Sequence, residues 1–179
     1  MTSESSSASP TVTSEEAKLS PDQFSMYNRM ADRMELFHNG FRQKWTILYK
    51  ACQSNKCPSN MTMHEFIRVG TSLCSQLDTH HTIEEQYIFP VLAKRMPAFK
   101  KNLNLINQHK EIHRGLDKLD AYLKECQSRE RELRLAELKE VLDGFGTVLW
   151  EHLDDEVKEL GAENMRKYWS LEDMTKMPM

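Results

Sequence analysis

The chain has 179 residues, of which 39% are hydrophobic and 28% charged, and its formal net charge is -3. This length suits one folded domain with a core, and the slight excess of acidic residues argues against a nucleic-acid binder, which usually has a basic face. No apolar run approaches the roughly 20 residues needed to cross a bilayer, and the N-terminus lacks the segments of a secretory signal. We therefore expect a soluble cytoplasmic protein with neither membrane nor nucleic-acid partners.

Glycine is scarce, with 6 residues, and methionine is abundant, with 11, which favours helices over strands. The Ser/Thr-rich residues 1–19 are predicted to be a disordered tail. The first helix is predicted to begin after Ser20, which with Gln23 forms a capping-box pattern around Pro21. His38 lies within the apolar stripe of this helix, which consists of Tyr27, Met30, Met34, Phe37, Phe41, Trp45 and Leu48.

The second helix is predicted to begin after Thr62, which pairs with Glu65 in another capping box. His64 falls in the exposed first turn and is excluded from any site. Pro90 is expected to kink this helix near its end. The stripe of the helix includes two polar members and consists of Phe66, Val69, Leu73, Leu77, His80, Glu84, Ile88 and Val91.

A third helix is predicted over about 102–126 and a fourth over about 131–160, followed by a natural stop at Gly161. Four amphipathic helices with short or medium loops predict an all-α, antiparallel up-down-up-down four-helix bundle over residues 20–161. Residues 162–179 are expected to form a tail that packs on or near one end of this bundle.

The apolar stripes of all four helices carry residues that can bind metal. They are His38, His80, Glu84, His109, His113, His152 and Glu156. The pairs within one helix are spaced i, i+4, which places both side chains on the same face. Burying so many imidazoles and carboxylates without partners would cost several kcal/mol for each charged group, roughly, so the pattern predicts a metal centre in the core.

The second helix offers a rival pair one residue out of register, His81 and Glu85. This pair lies about 100° round the helix from the stripe, so His80 and Glu84 are preferred as ligands and His81 is placed on the flank. The four cysteines are Cys52, Cys57, Cys74 and Cys126. Only Cys52 and Cys57 lie close together, at C-x4-C, which is a weak zinc pattern, and four reduced thiols are expected.

Seven ligands are too many for one tetrahedral zinc, and they fit two first-row ions held by imidazole and carboxylate, which suits iron. Counting bridging carboxylates and a bridging oxide or hydroxide leaves about one coordination position open, where dioxygen would bind. Ferritin-like proteins use paired Glu-x-x-His motifs, and this chain has one, Glu35-x-x-His38.

The motifs HHTIEEQYIFPVL, NQHKEIH and EHLDDE, together with His38, resemble the hemerythrin-like (HHE cation-binding) domain over about residues 22–160. The resemblance implies that His109, His113 and His152 hold one iron and that His38 and His80 hold the second, which keeps the open position. It further implies bridging by the carboxylates Glu84 and Glu156, with Asp154 or Asp155 as alternatives to the latter.

A non-catalytic role in binding dioxygen, as carrier, store or sensor, is the expected function of such a centre. Two alternatives remain: a di-iron enzyme with peroxidase- or oxidase-like activity, and an interaction module that the metal only stabilises. Manganese or zinc could replace iron in either case.

Overall fold

The computed structural model describes residues 18–100 and 104–178, and within these ranges it contains helices and no strand. The all-α prediction is confirmed. The helices are α1 (Pro21–Ser54), α2 (Met63–Ile83), α3 (Phe89–Leu92), α4 (Asn104–Gln127), α5 (Leu135–Asp143), α6 (Gly146–Glu159), α7 (Ala162–Tyr168) and α8 (Leu171–Thr175). A π-helical turn, Glu84–Ile88, joins α2 to α3, and a 3-10 turn, Pro97–Phe99, follows α3.

The described part of the chain holds no helix long and apolar enough to cross a membrane. The predicted disordered tail lies outside the described residues up to position 17. All four cysteines are free thiols, and three of them are buried.

Both predicted capping boxes are present. The Ser20 hydroxyl accepts a hydrogen bond from the backbone N–H of Gln23, and the Gln23 side chain accepts one from the N–H of Ser20. Thr62 and Glu65 make the same reciprocal pair at the start of α2. Each cap is worth about 1 kcal/mol, so local sequence sets where these two helices begin.

The predicted fourth helix is wrong in its continuity, because the chain makes two helices there, α5 and α6, instead of one over 131–160. The break lies at Phe145, whose backbone has φ -142° and ψ 0°. The Phe145 ring packs directly on Gly115 of α4, where an added Cβ would lie 2.2 Å from the ring's Cγ. This close approach between distant segments holds Phe145 in a non-helical conformation, which local periodicity does not reveal.

Two apolar clusters make up the core. The first combines the second half of α1 with buried residues of α2, α4, α5 and α6. The second combines the first half of α1 with residues between Phe89 and Leu105, with Leu160 and with the C-terminal segment. Buried polar residues fall between the clusters along the chain, such as His38 between Met34 and Phe41. The polar residues therefore form a layer enclosed by apolar packing on both sides.

The C-terminal segment forms α7 and α8, which lie against the first half of α1. Met165, Trp169 and Met174 are buried in the second cluster together with Tyr27 and Met30. This segment thereby covers the core at the end of the molecule where α1 begins.

Candidate metal centre

Two groups of side chains in the polar layer could each hold a metal ion. The ligand atoms within each group lie within 4.8 Å of one another. The first group is fully buried and consists of His81, Glu84, His109 and His152. The second group consists of His38, His80, Glu84 and Glu156. We call these the enclosed group and the open group, and they share Glu84.

Helix geometry explains how Glu84 belongs to both groups. Successive residues of an α-helix turn by about 100°, so a residue four positions after His80 lies about 40° round the axis from it and about 60° before His81. Glu84 thus projects between the two histidines. The chain then enters the π-helical turn, in which the N–H of Phe89 donates to the carbonyl of Glu84, five residues back. Such turns interrupt α-helices rarely and are frequent at functional sites.

The enclosed group brings three imidazoles around one carboxylate. Nε2 of His109 lies 3.1 Å from Nε2 of His152 and 3.5 Å from Oε2 of Glu84. The His81 ring stacks on the His109 ring with 3.8 Å between centroids. Nitrogen atoms of separate rings therefore converge on one small volume, as they do around a shared cation.

The open group pairs two imidazoles with two carboxylates. Nε2 of His80 lies 2.7 Å from Oε1 of Glu84 and 3.3 Å from Nε2 of His38. Oε2 of Glu156 lies 3.3 Å from Nε2 of His38 and 3.7 Å from Nε2 of His152. Glu156 therefore reaches toward a histidine of each group.

Hydrogen bonds on the outer side fix which ring nitrogen faces inward. Nδ1 of His38 lies 3.0 Å from the carbonyl oxygen of Leu153, and Nδ1 of His109 lies 2.8 Å from the Glu85 carboxylate. Both partners accept only, so each Nδ1 carries the proton and donates it. The Nε2 atoms then present lone pairs to the centre, which is the form that binds metal.

His152 has a comparable outer contact, which continues through a second hydrogen bond. Its Nδ1 lies 3.3 Å from Oε1 of Gln108, whose Nε2 in turn donates to Asp155 at 2.9 Å. Asp155, which the sequence left as an alternative bridge, thus contacts Gln108 and belongs to neither group. Its position supports the orientation of His152.

Several buried polar atoms of the centre have no hydrogen-bond partner among the described residues. They are both carboxylate oxygens of Glu84 and of Glu156 and both ring nitrogens of His81. The short His80–Glu84 approach does not satisfy Glu84, because its geometry is not that of a hydrogen bond. Buried groups left in this state cost roughly 1–3 kcal/mol each, and more when charged. Cations between the two carboxylates would satisfy the four carboxylate oxygens and one ring nitrogen of His81, so the residues fit a metal centre.

Burial also sets the protonation of the centre when it holds no cation. Burial, together with the charges of His38 and His109, lowers the pKa of His80 to about 3. Burial likewise lowers the pKa of His81 and of His152 well below their ordinary range. Burial and the nearby Glu156 carboxylate raise the pKa of Glu84 well above its ordinary range. His80, His81 and His152 are therefore neutral at physiological pH and ready to act as ligands.

Six of the seven residues predicted as ligands lie in the two groups, and His113 does not. The His113 side chain is 31% exposed, and its Nδ1 lies 3.3 Å from the Asp78 carboxylate. Its role as a ligand stays a prediction. His64 is exposed, as expected.

His81 is the residue that sequence reasoning missed. The flank position given to it is wrong, since its side chain is fully buried between His109 and His152. A signal was present in the pattern HHTIEE, because a glutamate four residues after one histidine and three after the next can face both.

Comparison with known proteins identifies the family of the chain. The family profile of the hemerythrin HHE cation binding domain matches residues 29–163. A protein of Cryptosporiopsis sp. (strain 8999), described as dimeric xanthone biosynthesis cluster protein R11, is 26% identical over 143 residues, which is 74% of this chain and 52% of that protein. The chain thus spans about half the length of this curated relative. No solved structure matches the chain significantly. Since the family profile covers most of its length, the chain belongs to the hemerythrin HHE cation-binding family.

Proposed function

We propose that this protein holds two iron ions in the polar layer and binds dioxygen there, as a carrier, store or sensor. The observation that carries the proposal is the pair of ligand groups joined through Glu84. A carboxylate with two unsatisfied oxygens, each directed to a different set of histidines, suits a bridge between two cations.

The proposed ligands follow from the two groups. One ion would be held by three imidazoles of the enclosed group, those of His81, His109 and His152. The other would be held by His38 and His80. Both bridging carboxylates would be glutamates, because Glu156 lies near His38 as well as His152. His113 is the alternative to His81, as its ring lies 5.2 Å from the His81 ring.

Iron is proposed because a set rich in imidazole with some carboxylate suits it, whereas thiolates are absent from both groups. Iron bound in the ferrous form would supply the electrons that allow dioxygen to bind reversibly. The protein's own part is to present neutral Nε2 atoms, to keep Glu84 and Glu156 between them, and to exclude water. Phe41 and Phe89 contribute to this exclusion, with rings 5.1 Å from His80 and 5.3 Å from His109.

An antiparallel four-helix bundle, with α5 and α6 together as its fourth member, is the arrangement we propose around this centre. The second half of α1 shares an apolar cluster with the first part of α2, and the first half of α1 shares the other with residues after α2. This exchange of ends is expected when neighbouring helices run in opposite directions.

The proposal is tested by loading metal-free protein with ferrous iron in the absence of air. We expect the protein to retain both ions after desalting, to melt at a higher temperature, and to develop visible charge-transfer absorption on exposure to oxygen that disappears when oxygen is removed. A protein that retains no iron and melts unchanged would contradict the proposal. The variant His64→Ala is the control and should behave like wild type, since this histidine is exposed.

A second candidate is a metal-dependent enzyme of small-molecule metabolism. It is favoured by the relative from Cryptosporiopsis, which is described as a protein of a xanthone biosynthesis cluster. In the same experiment this candidate predicts absorption that decays irreversibly, with continuing consumption of oxygen or peroxide when a reductant is supplied.

A further inference from the structure

An open cleft leads from the surface to the open group. It has a volume of about 560 Å³ and lies between α1 and α2, with His80 and Glu84 among its lining residues. This volume lies within the range of small-molecule pockets, roughly 300–1,000 Å³. His80 is the ligand-type residue through which the cleft meets the open group, because its side chain is 10% exposed whereas that of Glu84 is 1% exposed.

The walls of the cleft are mainly apolar and include the two phenyl rings of Phe37 and Phe41. The ring of His80 lies 5.5 Å from the Phe37 ring and 5.1 Å from the Phe41 ring. At the rim, Phe37 and Ile83 remain 45% and 47% exposed, although large apolar side chains are usually buried. Edge-to-face or offset contacts with such phenyl rings would stabilise a bound ligand that has flat aromatic rings.

One positive charge lies on the wall. Arg33 is the only basic residue of the lining apart from His80, and its guanidinium carbon lies 5.9 Å from the centre of the Phe37 ring. Among the described residues no carboxylate forms an ion pair with Arg33, in contrast to Arg42, which contacts both Glu35 and Asp154. The only acid that lines the cleft, Glu84, is buried at its inner end. The accessible charge of the cleft is therefore positive.

We propose that this cleft binds a small, flat aromatic anion, such as an aromatic carboxylate, with its rings between Phe37 and Phe41 and its charge on Arg33. The ligand would lie beside His80, at the edge of the metal centre. The position beside metal rests on the function proposed above, whereas the cleft and its charge do not.

The test uses 2-naphthoate as the probe and the full chain in metal-free, zinc-loaded and manganese-loaded forms. Calorimetry should show one naphthoate bound per chain. Phe37→Ala should weaken this binding about tenfold, because an aromatic wall is removed. Arg33→Gln should weaken it about fivefold, as expected for a partly exposed ion pair, and should leave the binding of neutral 2-acetylnaphthalene unchanged.

Two controls match these variants. Phe24 is 46% exposed on the same helix and does not line the cleft, so Phe24→Ala should bind like wild type. Arg114 is exposed on α4, and Arg114→Gln should likewise have no effect. Equal affinity in Phe37→Ala and wild type would overturn the inference, because the probe would then bind elsewhere.

Nuclear relaxation separates this inference from the proposed function. Bound naphthoate should relax much faster in manganese-loaded than in zinc-loaded protein, because a paramagnetic ion lies nearby. Binding that depends on Phe37 in a protein that takes up no metal would support the cleft and contradict the metal function. Uptake of metal without binding of naphthoate would support the metal function and overturn the cleft.

Discussion

The enclosed group and the open group use similar residues in different surroundings. In the enclosed group all four members are buried, and the outer nitrogens of His109 and His152 contact Glu85 and Gln108. In the open group His80 borders a cleft, and its ring contacts the rings of Phe37 and Phe41. Enclosure favours retention of an ion, whereas exposure through His80 allows a ligand to approach. In the centre proposed above, the enclosed group would therefore be the half that retains its ion, and the open group the half that a small ligand can reach.

The largest expected effect concerns the residue common to both groups. Glu84→Gln keeps the size of the side chain and removes its charge, so both ions should bind weakly and the iron content after desalting should fall toward zero. Glu85→Gln, the adjacent change, should keep most of the iron. Metal analysis of the two variants checks the prediction. Retention of both ions by Glu84→Gln would remove the basis for treating the groups as one centre.

A smaller effect, the loss of one ion, should separate the two assignments for the third histidine of the enclosed group. His81→Ala removes a fully buried ring and should lower the iron content by one of the two ions. His113→Ala changes a half-buried residue that contacts Asp78 and should keep both. The reverse result would restore the assignment made from the sequence. Metal content and melting temperature, measured together, decide between them.

Partial removal of metal should also distinguish the groups. A chelator such as EDTA should extract one ion quickly and the other slowly, because the cleft gives access only to the side of His80. The ion that remains should be the one in the enclosed group. It should be lost more readily from His109→Ala, which removes a histidine of that group, than from His38→Ala, which removes a histidine of the open group. A single rate for both ions would contradict the contrast between the groups.

Acid should destabilise the metal-free protein. The pKa of His80 falls to about 3 in the folded state, and those of His81 and His152 also lie below the ordinary value of 6.5. The unfolded chain therefore binds more protons as the pH drops below about 6.5, and stability decreases. The raised pKa of Glu84 acts in the opposite direction above pH 4.5, but it is one group against several. Urea unfolding at pH 7.5 and pH 5.5 measures the difference, which bound metal should reduce.

The smallest effect is expected from the outer contacts. Glu85→Gln weakens the charge-assisted hydrogen bond to Nδ1 of His109 and should reduce metal affinity about tenfold, in the enclosed group alone. A competition titration with a chromophoric chelator would measure this change. An equal loss at both ions would show that Glu85 acts through the whole fold.

Local rules predicted those parts of the structure that depend on neighbouring residues. The starts of α1 and α2 follow from Ser20 and Thr62 with their partners three positions later. Six ligand-type residues of the two groups, five of them buried, follow from the polar positions within apolar stripes.

Two features were not predicted from the sequence. One depends on a contact between distant residues, and the other on the breadth of a helix face. The break at Phe145 results from its packing on Gly115, thirty positions away in the chain. The inward position of His81 was missed because a stripe was treated as a single line, whereas the face that α2 turns to the core includes both His80 and His81.

The π-helical turn Glu84–Ile88 gives α2 and α3 different angular registers. A π-helical turn holds one residue more than an α-helical turn, so the chain after it is rotated by about 100° relative to an uninterrupted α-helix. Histidines can thus face the centre before the turn while Phe89 packs on the His109 ring after it. Deleting one residue here would restore the uninterrupted helical register, so either the ligands before the turn or the packing of Phe89 after it would be misplaced. This segment should therefore tolerate substitutions at Gln86 far better than a deletion.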